Sequence, residues 1–155
     1  MVIEDSILIN ASIEQVWVTF TDLTCWKNWC TILDGVSSDY KQMTEGARFK
    51  CSIRPFDIPL DLEPVIEEIV LHRRIVWSAS KQGISAWHEF TFEQKGDTVL
   101  VTSRERFSGL LLNPLRFLFP KKKIKKLSIM MLKEVKEEAE RNSMSLEKVI
   151  VQDNR

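Results

Sequence analysis

Apolar positions recur along this chain with two periods, and each change of period marks a change of element. Residues 2 to 9 (VIEDSILI) have the character of a first strand. Ser12 precedes IEQVWVTF with Gln15 three residues later, the signature of a helix start with a capping box. Ile13, Val16, Trp17 and Phe20 then fall on one side at helical spacing, so this helix has a face to bury. Asp22 is placed to cap a second short helix through LTCWKNW, because its carboxylate accepts from free N–H groups at a helix start. From about residue 32 the period drops to two. Phe49, Cys51 and Ile53 alternate with Arg48, Lys50, Ser52 and Arg54, giving a dry face and a wet face. PLDLEPVIEEIV continues the alternation through Leu60 and Leu62, and Pro64, which cannot donate to a ladder, is expected to bulge that strand or mark an edge. RIVWSAS and AWHEFTFEQKGDTVLVTSRERFSG complete roughly six or seven strands with short connections, hence a mostly antiparallel sheet.

After Gly109 the character changes again. LLLNPLRFLFP reads as a bulky apolar loop or broken helix holding Pro114 and Pro120. KKKIKKLSIMMLKEVKEEAERN then runs without glycine or proline, and Ile124, Leu127, Met131 and Val135 recur at three and four as the stripe of a long helix. The segment after Asn142 is weakly patterned. The expected organisation is one domain over residues 1–142 and a tail, 143–155, prone to fray.

The hairpin at residues 86 to 109 carries the first chemical signal. With Lys95 and Gly96 at its turn, Gln94 pairs with Asp97, Phe92 with Val99, Phe90 with Val101, His88 with Ser103 and Ala86 with Glu105. These residues then share one face, while Glu89, Thr91, Glu93, Thr102, Arg104 and Arg106 take the other. A histidine, a serine and a glutamate are thereby sent inward, with His88 diagonal to Glu105. Burying a carboxylate in packed hydrocarbon costs several kcal/mol unless it is paired or hydrated. Either His88, Ser103 and Glu105 satisfy one another inside a solid core, or they line a hollow interior.

Composition narrows the function classes. The chain has 155 residues, enough for one domain with a full core and no disulfide or metal. Its 22 basic residues balance 22 acidic ones, and the helix carrying the lysines turns acidic at KEVKEEAE, which argues against nucleic acid as a partner. No run approaches the roughly 18 apolar residues of a membrane span. The N-terminus lacks the order of a signal peptide, and Cys25, Cys30 and Cys51 cannot all pair, so a cytoplasmic location is expected. Cys-x4-Cys without a nearby histidine is a poor zinc pattern, and G-x-G-x-x-G, P-loop and H-E-x-x-H motifs do not occur. Neither a metal nor a cofactor is expected.

Several stretches, taken in order, carry a resemblance. ILINASIEQVWVTFTDLTCWKNW, EGARFKCSI, WHEFTFEQKGDTVLVTSRERFSGLLLNPL and IMMLKEVKEEAER together resemble the START-like superfamily, also called SRPBCC. That superfamily includes polyketide cyclase/dehydrase-like and birch-pollen-allergen-like proteins, and the resemblance spans Met1 to about Asn142. It implies an α+β helix-grip fold: a curved seven-stranded antiparallel sheet wrapped round a long C-terminal helix, with two short helices between strands 1 and 2. It also implies a cavity between sheet and helix for lipids, quinones, sterols or polyketides. It implies no single activity, because members include enzymes and carriers without shared catalytic positions.

On this reading the first candidate function is binding or carriage of an apolar small molecule. Phe49, Ile53, Leu62, Trp77, Phe90, Val101, Leu127, Met130 and Met131 would form the walls, and His88, Ser103 and Glu105 would orient a polar head. The alternative, placed behind it, is a cyclase or dehydratase using His88 and Glu105 as an acid–base pair, the carboxylate supporting the charged imidazole. A third expectation concerns the surface. Residues 110–126 set a bulky apolar segment against the Lys121–Lys126 cluster, a pattern suited to peripheral membrane contact. Oligomeric state is not legible in the sequence.

Overall fold

The computed structural model describes residues 1–54, 59–114, 117 and 120–153. Strand β1 (Val2–Ile9) leads into helix α1 (Ile13–Thr21), whose first turn is capped by Ser12: its Oγ accepts the Gln15 N–H at 3.1 Å. Asp22 closes α1 and opens the next turn, a 3-10 segment at Leu23–Cys25, by accepting from the Thr24 N–H at 3.0 Å. Helix α2 (Trp26–Trp29) follows directly. The two caps place the apolar faces of α1 and α2 against a common interior.

Two antiparallel sheets come next. β2 (Leu33–Ser37), β3 (Lys50–Ile53) and β4 (Leu60–Leu62) form a three-stranded sheet in that order. β5 (Val65–Val70), β6 (Arg74–Lys81), β7 (Ile84–Lys95) and β8 (Thr98–Ser108) join β1 in a five-stranded sheet ordered β1-β8-β7-β6-β5. The described strands therefore number eight rather than seven. Pro64 causes the difference: it interrupts the ladder between Leu62 and Val65, so one alternating run is divided between two sheets, and its carbonyl accepts the Phe49 N–H. With the long C-terminal helix, this is the α+β helix-grip architecture.

The β7–β8 hairpin differs from the expected register by two residues. Gly96 and Asp97 form the turn, Lys95 pairs with Thr98, and His88 faces Glu105 directly instead of diagonally. Gly96 adopts φ +60°, the conformation that a two-residue hairpin demands at its first central position and that glycine meets at least cost. The Gln94 side-chain amide fastens the turn by donating to the Gly96 carbonyl at 2.7 Å. A two-residue shift changes partners but not faces, so the inward set is preserved.

Helix α3 (Lys121–Asp153) runs 33 residues, about 50 Å at ordinary rise. It continues past Asn142, where the apolar pattern loosens and Met144, Leu146, Val149, Ile150 and Val151 are exposed. Ile124, Met131, Leu132, Val135 and Ala139 are its buried stripe. Polar hooks fix its middle. Glu134 accepts from the Thr31 N–H at 2.9 Å, Glu140 from the Asn10 N–H at 2.9 Å, and Lys136 donates to the Leu8 carbonyl at 2.8 Å.

The densest packing lies at the end of the interior covered by α1 and α2. The rings of Trp26, Trp77, Phe90 and Phe92 sit 4.6–5.9 Å from that of Phe20. Trp26 is completely buried, and its indole N–H donates to the Phe20 carbonyl at 2.8 Å, so the cluster leaves that donor satisfied. This end of the molecule is solid.

Candidate functional site

The other end is hollow. A cavity of about 460 Å³ lies between β3–β4, the inner face of β6–β8 and the first half of α3. Ile53, Leu60 and Leu62 form one wall, Trp77 and Ala79 a second, and Leu127 and Met131 of α3 a third. Pro59, Lys81 and Gln82 stand at its mouth. There Gln82 and Gly83 make the β6–β7 turn with φ +50° and +76°, as a two-residue primed turn requires. Gly109 presses against that turn: a Cβ on it would come within 2.1 Å of the Gly83 carbonyl oxygen, so only glycine permits the approach. The exit from β8 is thus held beside the mouth.

Strand alternation puts a small polar group at the inner end of these apolar walls. His88 Nε2 is 2.7 Å from Ser103 Oγ, and Ser103 Oγ is 3.2 Å from Ser128 Oγ on α3. Glu105 accepts a hydrogen bond from Ser128, while its Oε1 lies 3.9 Å from His88 Nε2, beyond hydrogen-bond reach. The imidazole is held by packing, with its ring 4.0 Å from Phe90 and 5.2 Å from Trp77 between centroids. His88 and Glu105 keep 13% and 14% of their side-chain surface accessible, and both line the cavity.

Enclosure sets their charge. Burial lowers the His88 pKa to about 3, so the imidazole is neutral at ordinary pH. This differs from the expectation that Glu105 supports a charged imidazole, because loss of water outweighs a carboxylate 3.9 Å away. Burial raises Glu105 to about 7, with the Ser128 hydrogen bond opposing the rise and the nearby Asp5 adding to it. Asp5 projects from β1 beside this group. Its Oδ1 lies 3.4 Å from Lys125 Nζ, and its Oδ2 is buried with no hydrogen-bond partner.

The expected site residues separate into two sets. Ile53, Leu62, Trp77, His88, Glu105, Leu127 and Met131 meet at the cavity. Phe49, Phe90, Val101 and Ser103 lie in the packed layer behind its surface, fully buried, because the aromatic cluster occupies that space. Met130 does not reach the cavity. It stands one residue before the stripe residue Met131, turned away from it on the helix, and is 37% exposed. Asp5 and Ser128 were not anticipated. Both carried a signal: Asp5 sits in step with Ile3, Ile7 and Ile9, and Ser128 lies midway between Ile124 and Leu132.

Cys51 lines the cavity, but burial raises its thiol to about 12, and Cys30 to about 11, so neither is a ready ligand or nucleophile. No group of three candidate metal ligands occurs among the described residues. A second depression, about 580 Å³, lies on the sheet's other face beside Trp87 and Arg106, whose guanidinium rests 4.7 Å over the indole. It is shallow and open to solvent, without a convergent buried polar group. The enclosed cavity is therefore the candidate site.

A family model described as polyketide cyclase / dehydrase and lipid transport matches residues 1–140. No curated protein matches the sequence. Similar solved structures include a hypothetical protein from Helicobacter pylori, with TM-score 0.76 and 16% identity over 90% of this chain and 88% of that one. A START superfamily protein from Mycobacterium smegmatis has TM-score 0.68 and 13% identity over 94% and 98% of the two chains. Truncated norcoclaurine synthase from Thalictrum flavum has TM-score 0.65 and 10% identity over 86% and 91%. At these identities the structural likeness speaks to the fold alone.

Proposed function

The chain belongs to the polyketide cyclase/dehydrase and lipid transport family, and from that premise we propose that it binds a mainly apolar small molecule in the cavity between sheet and α3. The observation that carries this reading is the cavity itself: about 460 Å³, walled by hydrocarbon, with one hydrogen-bonding corner at His88, Ser128 and Glu105. That volume is within the range of small-molecule sites, and apolar walls with few convergent polar groups are their usual lining. The apolar body of a ligand lies against Leu62, Trp77, Leu127 and Met131, and its head meets the corner. Native mass spectrometry of protein purified from its own host tests this reading. A retained apolar molecule released by denaturation supports it, and a chain that retains none and takes up no added probe opposes it.

Catalysis at the same corner is the second reading, and a specific observation favours it. A carboxyl group raised to about 7 inside a cavity is matched to proton transfer near neutral pH. Glu105, rather than His88, is then the proton-transfer group, with Ser128 holding its orientation. Turnover of a polyketide-like candidate that vanishes in Glu105→Gln while probe binding persists would place the protein among the family's enzymes.

The rim gives a route for loading. Leu110 is 94% and Phe117 71% exposed, and Lys121 and Lys122 follow on the first turn of α3. Leu111 contacts the β6–β7 turn at the cavity mouth, and Ile124 and Leu127 of the same helix line its wall. Lysines at a helix N-terminus oppose the macrodipole, so helix stability does not account for them. Exposed apolar side chains beside lysines suit an anionic bilayer surface, each lysine adding about 1 kcal/mol there. Residues 115, 116, 118 and 119 of the proposed 110–126 contact lie outside the described residues. No helix among the described residues is long and apolar enough to cross a membrane.

A further inference from the structure

The charges around the cavity's polar corner are unbalanced, and this bears on which head group it admits. Every element packed against the corner contributes a group. β8 supplies Glu105 and Ser103, β7 supplies His88, β1 supplies Asp5, and α3 supplies Lys125 and Ser128. In the β1–β8 ladder Asp5 pairs with Ser103 and Ile3 with Glu105, so the two carboxylates sit on adjacent strands, one step apart on the same face. Lys125 approaches Asp5 at 3.4 Å, leaving its other oxygen buried and unpartnered. Asp5 and Lys125 lie behind the lining, and the lysine that does line the cavity, Lys81, is at the mouth, where its ammonium donates to the Asp61 carbonyl. Among the described residues, the Glu105 and Asp5 carboxyls at this corner therefore have Lys125 as their near cation, and it is already paired with Asp5.

We infer that this corner discriminates against anionic head groups and accepts apolar ligands whose head is an alcohol, a carbonyl or an amine. The inference rests on the binding function proposed above. Above about pH 7, where Glu105 is ionised, a carboxylate or phosphate head placed beside it meets a like charge in a poorly hydrated space, with Asp5 behind it and only neutral donors at hand. An alcohol donates to the ionised Glu105, and a carbonyl accepts from the protonated acid. An ammonium gains a counter-charge that the protein otherwise leaves unmatched. The neutral imidazole of His88, fixed between Phe90 and Trp77, offers hydrogen bonding without positive charge and cannot rescue an anion.

The test is displacement of a bound apolar fluorophore by decanol, decylamine and decanoate at pH 8, where free decanoate is ionised. The expected result is that decanol and decylamine displace the probe at similar concentrations and decanoate is weaker by about tenfold or more. Glu105→Gln should narrow that gap by strengthening decanoate, and Asp5→Asn should narrow it less, while decanol changes little in either. Equal displacement by all three ligands, or decanoate the strongest, overturns the inference and leaves the binding function standing. A fluorophore that never binds overturns the binding function itself. A variant that fails to fold is recognised by its denaturation profile, and the wild-type ranking of the three ligands then decides alone.

Discussion

Glu105 stands directly opposite His88 across the β7–β8 ladder, with Oε1 3.9 Å from Nε2, yet the two do not form an ion pair. Enclosure pushes them in opposite directions on the pH scale, and each is driven toward its neutral form. His88 falls from 6.5 to about 3, and Glu105 rises from 4.5 to about 7. The consequence for stability has a sign for each group. His88 contributes stability that is full above 6.5 and lost as pH falls toward 3, because the unfolded chain takes up a proton that the native chain refuses. Glu105 contributes the reverse, full below 4.5 and lost as pH rises toward 7.

Between 4.5 and 6.5 the two slopes cancel, so the pair leaves the wild-type stability profile nearly flat there. Single substitutions should expose them. Relative to wild type, Glu105→Gln should gain stability with rising pH across that window, and His88→Gln should lose it, each by about 1 kcal/mol per pH unit. Urea denaturation at a series of pH values measures both. Parallel profiles for all three proteins would show that the pair is not enclosed.

The solid and hollow ends of the interior should respond oppositely to added volume. Ala79 lines the cavity, so Ala79→Phe should fill space and change stability little. Val101 is fully buried in packed core, so Val101→Phe should destabilise by about 1–3 kcal/mol through overpacking. Equal losses would mean that the two environments are packed alike.

Phe20 joins α1 to β6 and β7 through its contacts with Trp77, Phe90 and Phe92. Phe20→Ala should cost about 3–5 kcal/mol, the usual range for truncating a buried ring. A loss below about 1 kcal/mol in urea denaturation would show that the cluster closes over the gap.

At the rim, Lys121→Glu combined with Lys122→Glu should abolish co-sedimentation with vesicles containing phosphatidylserine, and Leu110→Ser should weaken it. Added salt should reduce wild-type binding, because surface charges are screened within about 10 Å at 0.1 M. Wild-type protein that ignores anionic vesicles at low salt removes the membrane from the account.

Much of this was legible in the sequence because strand alternation is a strong constraint. Phe90, Phe92, Val99 and Val101 could only be buried together, and that carried His88, Ser103 and Glu105 inward with them. The capping positions Ser12 and Asp22 were readable for a similar reason: their side-chain oxygens answer a local need for acceptors. The hairpin register was less certain, since Lys95-Gly96 and Gly96-Asp97 both put a glycine in the turn and both keep the same faces. Division of the interior into solid and hollow ends was not legible. Alternation says that Phe49 and Phe90 face inward, but it does not say whether a ring meets another ring or a void. That depends on where α1 delivers Phe20, a tertiary fact. Asp5 was readable by the rule that found Glu105, applied to β1.

The most direct test of the cavity is titration of an apolar fluorophore into the wild-type protein and Ala79→Phe. The account predicts saturation at one probe per wild-type chain and loss of that binding in a variant that remains folded. Absence of saturable binding to wild type, or equal binding to the variant, would contradict it.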